Sequence, residues 1–514
     1  MADPSPGPLS DPGPQTDARG QAATNPGSQL LVLGIDLGTS AVKIVAVASD
    51  GAFVAAGSAS FPTICDLPDQ AEQDPDAWVV AVAEAAVSLD LELRQQCRDW
   101  RARVAAIGLT GQLPTLVCSG AQGPLGRAIT WKDARADGPT SATIDSKQRR
   151  ALYERTGMPI DGRYLGPMFR HHWLNRSAEV QSILSAKDYL LSVLTGQRLT
   201  DPSTAAGYGA FDLESGAFSE ALREMWRMPA GALPEVRSAH SRAGPLTSAG
   251  ARIVGVRAGI PVTVGAADSV SSAFAMAGLE EGIACIIMGS STIIIDAVRD
   301  ARLDPATRYL LTPHVESGWY AREMDLLATG TGYRWLSGLL ALPEGKLDQR
   351  AAESPPGARD LIFAPYLGGG EQGALWDPTL RGMLRGLTLR HTSSDIARAF
   401  LEGVAFETRR CIDVLAETAP VRGVVVAGHL TAHQTSLEML ADILHRPVRP
   451  FPPVSPAALG AALGALQVLG ATPHPRRADA SSPPRVLPGE QSHVYHRLYA
   501  SYLAKTCSGK SLSN

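Results

Sequence analysis

The sequence predicts an α/β protein built from two related domains that face one cleft. Its 514 residues are too many for one ordinary hydrophobic core, so two large domains are expected. Apolar, β-rich runs alternate with long stretches at helical spacing through most of the chain. The pattern also starts twice, because each half opens with strands around a turn of small residues, at 36–40 and at 289–292. This weak internal repeat favours two copies of one α/β unit.

The predicted elements follow in chain order. Residues 1–29 are rich in Pro, Gly and Ser and should form a disordered tail. Strands are predicted at 31–35, 41–48, 261–265 and 421–427. The segment 283–298 is strand-rich, with a strand at 283–288 before the turn at 289–292, and in the segment 107–117 a strand runs into a turn at 110–112. Helices are predicted at 76–100, 182–194, 269–278, 393–417, 435–444, 456–469 and 495–503. We divide the chain into a first domain at 30–278, a second at 279–470, and a Pro/Ser-rich segment with a short helix at 471–514.

Composition and charge exclude several classes of protein. The formal net charge of −4 disfavours a nucleic-acid partner, which usually requires a basic excess. The six cysteines show no C-x-x-C spacing, which suits a reducing cytosol better than a zinc site or a disulfide framework. No apolar run is long enough to cross a membrane, and the N-terminus lacks the order of a signal peptide. We therefore expect a cytoplasmic protein without a membrane or nucleic-acid partner.

The turn at 36–40 joins an apolar strand to a second strand that carries one charge, Lys43. Asp36 ends the first strand, and small residues with free backbone N–H groups follow. Such a turn can wrap the terminal phosphates of a nucleotide while the carboxylate holds a hydrated Mg²⁺. An ordinary β-hairpin, in which Asp and Gly serve only the turn, explains the same residues. The local pattern leaves both interpretations open.

Asp268 stands between a predicted strand and a helix of small residues. A carboxylate at the carboxyl end of a strand faces the crevice of an α/β sheet, where it can act as a general base toward a hydroxyl that attacks a phosphate. An N-cap carboxylate that binds backbone N–H groups is the alternative, and the local pattern leaves both interpretations open.

Two further segments carry polar groups. The turn at 289–292 either donates N–H and hydroxyl groups to phosphate oxygens or is only a polar turn, which is the better interpretation in isolation. Trp131, Asp133 and Arg135 alternate along a segment that we expect to be extended, so they would share one face. That face suits the lining of a polyol pocket, although a half-buried edge strand is favoured on these residues alone.

An ordered set of motifs resembles the FGGY carbohydrate kinases, and within them the xylulokinase-like group. The resemblance runs from about residue 31 to about residue 469. Its motifs are LGIDLGTSAVK, EQDPDAW, GLTGQ, TWKDAR, AKDYL, VTVGAADSV, PYLGGGE, WDPTLRGMLRGLTLRHT, ARAFLEGVAFE, LADILHRPV and PAALGAALGAL. The block at 364–407 is the most specific of them.

The resemblance implies two ribonuclease H-like (actin-type ATPase) domains with ATP and a sugar in the cleft between them. It implies Asp36 as the Mg²⁺-associated carboxylate and Asp268 as the base toward a sugar hydroxyl. The nucleotide- and phosphate-binding residues that it implies are Gly38, Thr39, Ser40, Lys43, Gly289, Ser290, Ser291, Gly330 and Gly428. The substrate-binding residues that it implies are Gln112, Leu113, Pro114, Trp131, Asp133 and Asp268.

Two departures from the family pattern concern specificity. Xylulokinases usually continue the Gln112 motif with Met-His-Gly, where this chain has Leu113, Pro114 and Thr115. The glycine run on the adenosine side is reduced to Gly428, which is followed by a histidine and a leucine. We therefore expect a changed sugar preference and a changed approach to the nucleotide.

The leading hypothesis is the ATP-dependent phosphorylation of a sugar hydroxyl, on a ketopentose such as xylulose or a related sugar or polyol. The alternatives are a catalytically weak regulator that only binds sugar or nucleotide, and a different ATPase of the actin fold. The presence of both Asp36 and Asp268 favours the enzyme, and the sugar-side motifs disfavour the other ATPases. ATP and the sugar are the expected partners, and a homodimer stays open.

Overall fold

The structure is a computed structural model that describes residues 29–67, 69–343, 345–368, 372–471 and 484–506. The disordered tail predicted at 1–29 lies outside these residues apart from Gln29, as does much of the Pro/Ser-rich segment predicted after residue 470.

The first half of the chain builds a mixed sheet, here called the first sheet. In the described residues it has seven strands. Six follow the order Arg242–Pro245, Pro261–Thr263, Val104–Gly111, Leu31–Leu37, Ala41–Ala48 and Phe53–Ser60, while Ala266–Ala267 also pairs with Val104–Gly111.

The second half builds a second sheet of six strands in the described residues. Their order is Leu310–Pro313, Tyr320–Leu326, Thr292–Val298, Ile283–Met288, Gly423–Gly428 and Val448–Pro450.

The two sheets repeat one topology. In the first sheet, Leu31–Leu37 pairs antiparallel with Ala41–Ala48 and parallel with Val104–Gly111. In the second sheet, Ile283–Met288 likewise pairs antiparallel with Thr292–Val298 and parallel with Gly423–Gly428. The internal repeat and the two-domain α/β fold predicted from the sequence are therefore confirmed.

Helices cover and connect the sheets, and short strands form smaller ladders. The helices are Pro75–Gln96, Trp100–Arg103, Asp137–Thr143, Ser146–Thr156, Leu165–His172, Ala186–Thr195, Pro202–Ala206, Glu220–Met225, Ser248–Val254, Asp268–Ala277, Thr329–Leu339, Leu347–Ala352, Ser393–Ala416, Gln434–Leu444, Pro456–Val468 and Ser492–Thr506. The short strands are Glu72–Gln73, Thr115–Gly120, Gly123–Pro124, Ala128–Thr130, Ser182–Leu184, Leu199–Thr200, Phe211–Asp212, Ala217–Phe218, Glu235–Val236, Ile362–Ala364 and Met383–Arg385. Single 3₁₀ turns lie at Leu174–Glu179, Ala358–Asp360 and His429–Ala432.

The helix Pro456–Val468, here called the crossing helix, belongs to the second half of the sequence but packs on the first sheet. A Cβ atom added to Gly34 would lie 1.9 Å from the carbonyl oxygen of Ala458, and one added to Gly108 would lie 1.8 Å from that of Ala461. Because no side chain fits at these two contacts, the helix and the sheet approach each other backbone to backbone. The crossing helix thus ties the two halves together.

Three predicted segments differ from the structure. The segment 182–194 is a strand, Ser182–Leu184, and then a helix that starts after Ser185, whose hydroxyl accepts the N–H of Asp188 at 3.2 Å. The turn predicted at 110–112 begins slightly later, because the strand Val104–Gly111 continues to residue 111 and the next strand is Thr115–Gly120. The helix predicted at 76–100 ends at Gln96. At 182–194 and 76–100 a local cap interrupts an apolar run that looks continuous from its periodicity.

The extended segment predicted at 129–135 is also wrong. The strand ends at Thr130, and the N–H of Asp133 turns back to the Thr130 carbonyl at 2.9 Å. Trp131, Asp133 and Arg135 therefore do not share one strand face.

Five cysteines in the described residues are free thiols, and Cys507 lies outside that part of the chain. A search of the described helices found none long and apolar enough to cross a membrane.

Candidate active site

A cavity of about 170 Å³ lies between the two halves, and both of them line it. The residues from the first half are Thr39, Leu113, Pro114, Trp131, Met158, Asp161, Arg163, Tyr164, Ser203, Gly207, Ala267, Asp268 and Ser269. Those from the second half are Ser291, Ile293, Leu310, Thr312, Glu323, Asp325, Gln372 and Trp376. A larger opening of about 1090 Å³ shares Trp131, Asp161, Arg163, Gln372 and Trp376 with it. The small cavity is therefore the inner end of a cleft.

Asp268 begins the helix Asp268–Ala277 at the wall of this cavity. One carboxylate oxygen, Oδ1, accepts the N–H of Ser269 at 2.9 Å. Burial raises the pKa of Asp268 well above its ordinary value, and the negative charges of Asp36 and Glu323 raise it further. A carboxylate with a raised pKa is a stronger base than an exposed one, which suits proton abstraction near neutral pH. The side chain bonds to the next N–H along the chain, and residue 267 occupies the N-cap position.

A buried ionic network supports the segment that carries Asp268. Lys187 donates to the Val264 carbonyl at 3.0 Å and pairs with Asp188 at 2.7 Å and Asp201 at 3.3 Å. Asp201 accepts the hydroxyl of Ser203, whose oxygen accepts the N–H of Ala267 at 3.0 Å. The residue before the candidate base is therefore held by a chain of charge-assisted hydrogen bonds.

Asp36 lies buried at the end of Leu31–Leu37. Its Oδ2 atom accepts the Ser455 hydroxyl at 3.2 Å and lies 3.9 Å from the Lys43 ammonium. Its Oδ1 atom is buried without a hydrogen-bond partner in the structure. Burial raises the pKa of Asp36, while Lys43 and Ser455 act in the opposite direction. A buried carboxylate oxygen without a donor fits a hydrated Mg²⁺, which takes oxygen ligands and keeps several waters.

The two hairpin turns lie at the cleft, and a backbone hydrogen bond closes each of them. In the first hairpin, the N–H of Gly38 donates to the Ala41 carbonyl at 3.1 Å, while Thr39 reaches the cavity wall and Ser40 is exposed. The turn is thus a β-hairpin, as one of the two sequence-based interpretations proposed, and this geometry leaves phosphate binding open as well. In the second hairpin, the N–H of Gly289 donates to the Ser291 carbonyl at 2.8 Å.

Two glycines pack closely around the second hairpin turn. A Cβ atom on Gly330 would lie 1.9 Å from the Gly289 carbonyl oxygen. Gly428 has a φ of +109°, and a Cβ atom there would lie 2.1 Å from the Met288 carbonyl oxygen. Gly289, Gly330 and Gly428 therefore meet at the carboxyl ends of Ile283–Met288 and Gly423–Gly428, where backbone packs directly against backbone.

The predicted sugar-side residues divide into two groups. Leu113, Pro114 and Trp131 line the cavity, and the Trp131 indole N–H donates to the Thr39 hydroxyl at 3.2 Å. Gln112 is buried behind this wall and donates to the Gln73 side chain at 2.8 Å.

Asp133 belongs to the second group. Its carboxylate accepts the N–H of Ala71 at 2.9 Å and pairs with Arg135 at 2.6 Å. The turn after Thr130 places it behind the wall, so Gln112 and Asp133 are positioned to support the lining rather than to form it.

Sequence reasoning missed two acidic residues that line the cavity from the second sheet. Glu323 and Asp325 stand two residues apart on the strand Tyr320–Leu326. Burial raises the pKa of each to about 7. The alternation of charged and apolar residues in YAREMDL could have signalled a strand with one polar face.

Comparisons with known proteins agree with this architecture. Residues 31–275 match the N-terminal domain of the FGGY family of carbohydrate kinases, and residues 284–467 match its C-terminal domain. The chain belongs to the FGGY family of carbohydrate kinases, whose members are phosphotransferases that use ATP.

Individual relatives are similar over most of their length. A xylulose kinase of Lactococcus lactis is 27% identical over 426 residues, which are 80% of this chain and 83% of the relative. A glycerol kinase of Gloeobacter violaceus is 29% identical over 448 residues, which are 84% and 87% of the two chains. The crystal structure of a gluconate kinase from Lactobacillus acidophilus has the same fold, with a TM-score of 0.83, 24% identity, and coverage of 93% of this chain and 98% of that one.

Proposed function

We propose that this protein transfers the γ-phosphoryl group of ATP to a hydroxyl of a ketopentose or a related sugar or polyol. The observation that carries the proposal is the convergence on one cavity of residues with three functions, namely a base, two phosphate turns and an aromatic wall. A candidate base (Asp268), residues of both hairpin turns (Thr39 and Ser291) and an aromatic side chain (Trp131) line the same space. We assign residues 30–278 to the sugar side with the first phosphate turn and residues 279–470 to the nucleotide side. We also propose a cytoplasmic location, where ATP is made available to such enzymes.

In the proposed mechanism, Asp268 takes the proton of the attacking sugar hydroxyl. The N–H of Ser269 holds Oδ1, which orients the carboxylate toward the cavity. The indole of Trp131 packs against C–H groups of the sugar, while its N–H fixes Thr39 in the first hairpin turn. Ser40 and Ser290 hold the phosphate chain through their hydroxyl groups. Gly38 and Gly289, whose N–H groups donate within the two turns, keep the turns free of side chains at the phosphate end.

Asp36 would hold Mg²⁺ together with phosphate oxygens, because its unpartnered Oδ1 is the kind of ligand that this ion prefers. When bound, the ion neutralises charge that develops on the phosphoryl oxygens. Lys43 lies 3.9 Å from the same carboxylate, and we propose that it adds positive charge at the phosphate end.

Xylulose is a poor candidate for the best substrate. Leu113 and Pro114 present only apolar surface to the cavity, and proline has no N–H to donate. A site that lacks a polar contact to a hydroxyl loses specificity for the substrate that carries it. We therefore propose a related sugar or polyol whose corresponding position makes no hydrogen bond to this wall.

A coupled assay of ADP release tests the function. The purified protein is given ATP, Mg²⁺ and a panel of ketoses, aldoses and polyols, with a control that lacks sugar. We expect sugar-dependent ADP release with at least one member and a kcat/KM for D-xylulose below the best value. Sugar-independent hydrolysis alone, or no release with any sugar, would contradict the kinase. D-xylulose as the clearly best substrate would contradict the argument from Pro114.

A further inference from the structure

We propose that Glu323 and Asp325 form an acidic wall that admits uncharged polyhydroxy substrates and excludes sugar acids such as gluconate. The inference rests on the proposed function, since it concerns the acceptor bound in the same cavity. The proposed wall discriminates between charged and uncharged acceptors, a preference that neither the fold nor membership of the family determines.

The two carboxylates share one face of the strand Tyr320–Leu326. Residues two apart on a strand point to the same side. The cross-strand neighbours confirm which side this is, because Ile293 pairs with Asp325, Leu310 pairs with Glu323, and both neighbours line the cavity. The second sheet therefore presents to the sugar a wall that is apolar except for two carboxylates and Thr312.

Each carboxylate is fixed but retains capacity to accept hydrogen bonds. Glu323 accepts the Ser269 hydroxyl at 2.8 Å, next to the candidate base. The Asp325 carboxylate hydrogen-bonds the Ser291 side chain, and its Oδ1 atom is buried without a hydrogen-bond partner. Ionised carboxylates only accept, so the complementary group on a ligand is a donor. Sugar hydroxyls supply such donors, and a substrate carboxylate does not.

The cation in the lining does not balance this charge. Among the described residues that line the cavity, Asp161, Asp268, Glu323 and Asp325 face one guanidinium, that of Arg163. Arg163 is already paired with Asp161 at 2.5 Å, and Asp161 also accepts the Gln372 amide at 3.1 Å. A sugar acid would therefore bring its negative charge against Asp268, Glu323 and Asp325 in a poorly hydrated space. The repulsion between the substrate carboxylate and the carboxylates that line the cavity disfavours binding strongly.

Matched pairs of ligands that differ only in charge give the direct test. Xylitol is compared with xylonate, and glucitol with gluconate, by calorimetric titration and by ADP release at pH 8, where both wall carboxylates are largely ionised. We expect each acid to bind at least about 10-fold more weakly than its polyol. Equal or tighter binding of the acids would overturn the inference and leave the kinase intact. Failure of every polyol and sugar to bind would overturn the proposed function as well.

Variants test whether the wall residues cause the discrimination. The neutral variant carries Glu323→Gln with Asp325→Asn, and the charge-keeping control carries Glu323→Asp with Asp325→Glu. We expect the ratio of acid to polyol affinity to rise about 10-fold in the neutral variant and to change little in the control. The single variants Glu323→Gln and Asp325→Asn replace the double variant if its thermal unfolding shows that it does not fold. An unchanged ratio in the folded neutral variants would overturn the inference.

Discussion

At the scale of single residues, the cleft places carboxylates in three different roles. Asp36 has a buried oxygen without a donor, Asp268 is oriented by an adjacent N–H, and Glu323 adds a negative charge that acts on Asp268. Their proximity matters because each negative charge raises the cost of ionising the next. The protonation of each carboxylate therefore depends on its own surroundings and also on the charges of the other carboxylates.

We expect Asp268→Asn to remove most of the phosphoryl transfer, because the amide cannot accept the proton of the sugar hydroxyl. The loss in kcat should be about 10²–10⁴-fold, which is the usual contribution of a general base. Sugar binding, measured by calorimetry, should stay close to that of the unmodified protein. Retention of more than about a tenth of the turnover would contradict the assignment.

The pH dependence should report the coupling between Asp268 and Glu323. A general base works in its ionised form, so kcat/KM should rise with pH through the raised pKa of Asp268. Burial and the charges of Asp36 and Glu323 raise this pKa, while the Ser269 N–H and Lys43 oppose the rise. Glu323→Gln removes one of the raising charges, so the acidic limb of the profile should move to lower pH. An unmoved limb, with Glu323→Asp as the control, would show that the two carboxylates are not coupled.

We expect Asp36→Ala to raise the Mg²⁺ concentration needed for half-maximal turnover and to lower the maximum. The carboxylate oxygen that would bind the hydrated ion is lost, while the sugar-side wall is untouched. The measurement is a titration of Mg²⁺ at saturating ATP and sugar, together with the sugar KM. An unchanged Mg²⁺ dependence would mean that Asp36 serves only the turn.

At the scale of elements, glycines set how closely the crossing helix approaches the first sheet. Gly108→Ala would place a methyl group 1.8 Å from the backbone oxygen of Ala461, which cannot rotate away. We expect a loss of unfolding free energy of about 1–3 kcal/mol and a lower Tm.

Gly338→Ala is the matched control for this substitution. Gly338 is exposed in the helix Thr329–Leu339, and a Cβ atom there would meet no other part of the protein within 4 Å beyond its own helix and chain neighbours. Alanine is the better helix former, so this variant should be as stable as the unmodified protein or more stable. Equal melting temperatures for the two variants would show that the sheet and the helix can separate without cost.

The elements that the sequence predicts well are those with an unbroken pattern. The hairpin Leu31–Leu37 and Ala41–Ala48 and the helix Ser393–Ala416 follow their apolar runs almost to the residue. Periodicity fails where a polar cap or a turn interrupts a run, as at Ser185 and after Thr130. A hydrophobic pattern carries no information on such local hydrogen bonds.

The candidate site is predictable only in part for a different reason. Asp36 and Asp268 follow apolar strands, where a lone carboxylate is conspicuous. Glu323 and Asp325 lie inside a strand, and their function depends on a sheet that faces the other half of the molecule. The contact of Glu323 with Ser269, which are 54 residues apart in the sequence, cannot be inferred from a local pattern in one chain.

At the scale of the whole molecule, the cleft is made by two repeats that each contribute a hairpin turn and one wall. The first half supplies Asp268 and Trp131, and the second half supplies Ser291 with the acidic wall. The side chains of Gln372 and Asp161 join the two walls at 3.1 Å. A substrate held between them contacts both halves at once, so relative movement of the halves would change its binding.

The crossing helix also has a consequence for how the protein is made. During translation, residues 456–468 are made long after the strands of the first sheet that they cover. The surface of the sheet that packs against the crossing helix therefore stays exposed through most of synthesis. A nascent or truncated chain that stops before Ser455 has neither the cover for that surface nor the hydroxyl that meets Asp36. We expect such fragments to bind chaperones and to be degraded. The first sheet is therefore covered, and Asp36 gains its hydrogen bond from Ser455, only when nearly the whole chain has been made.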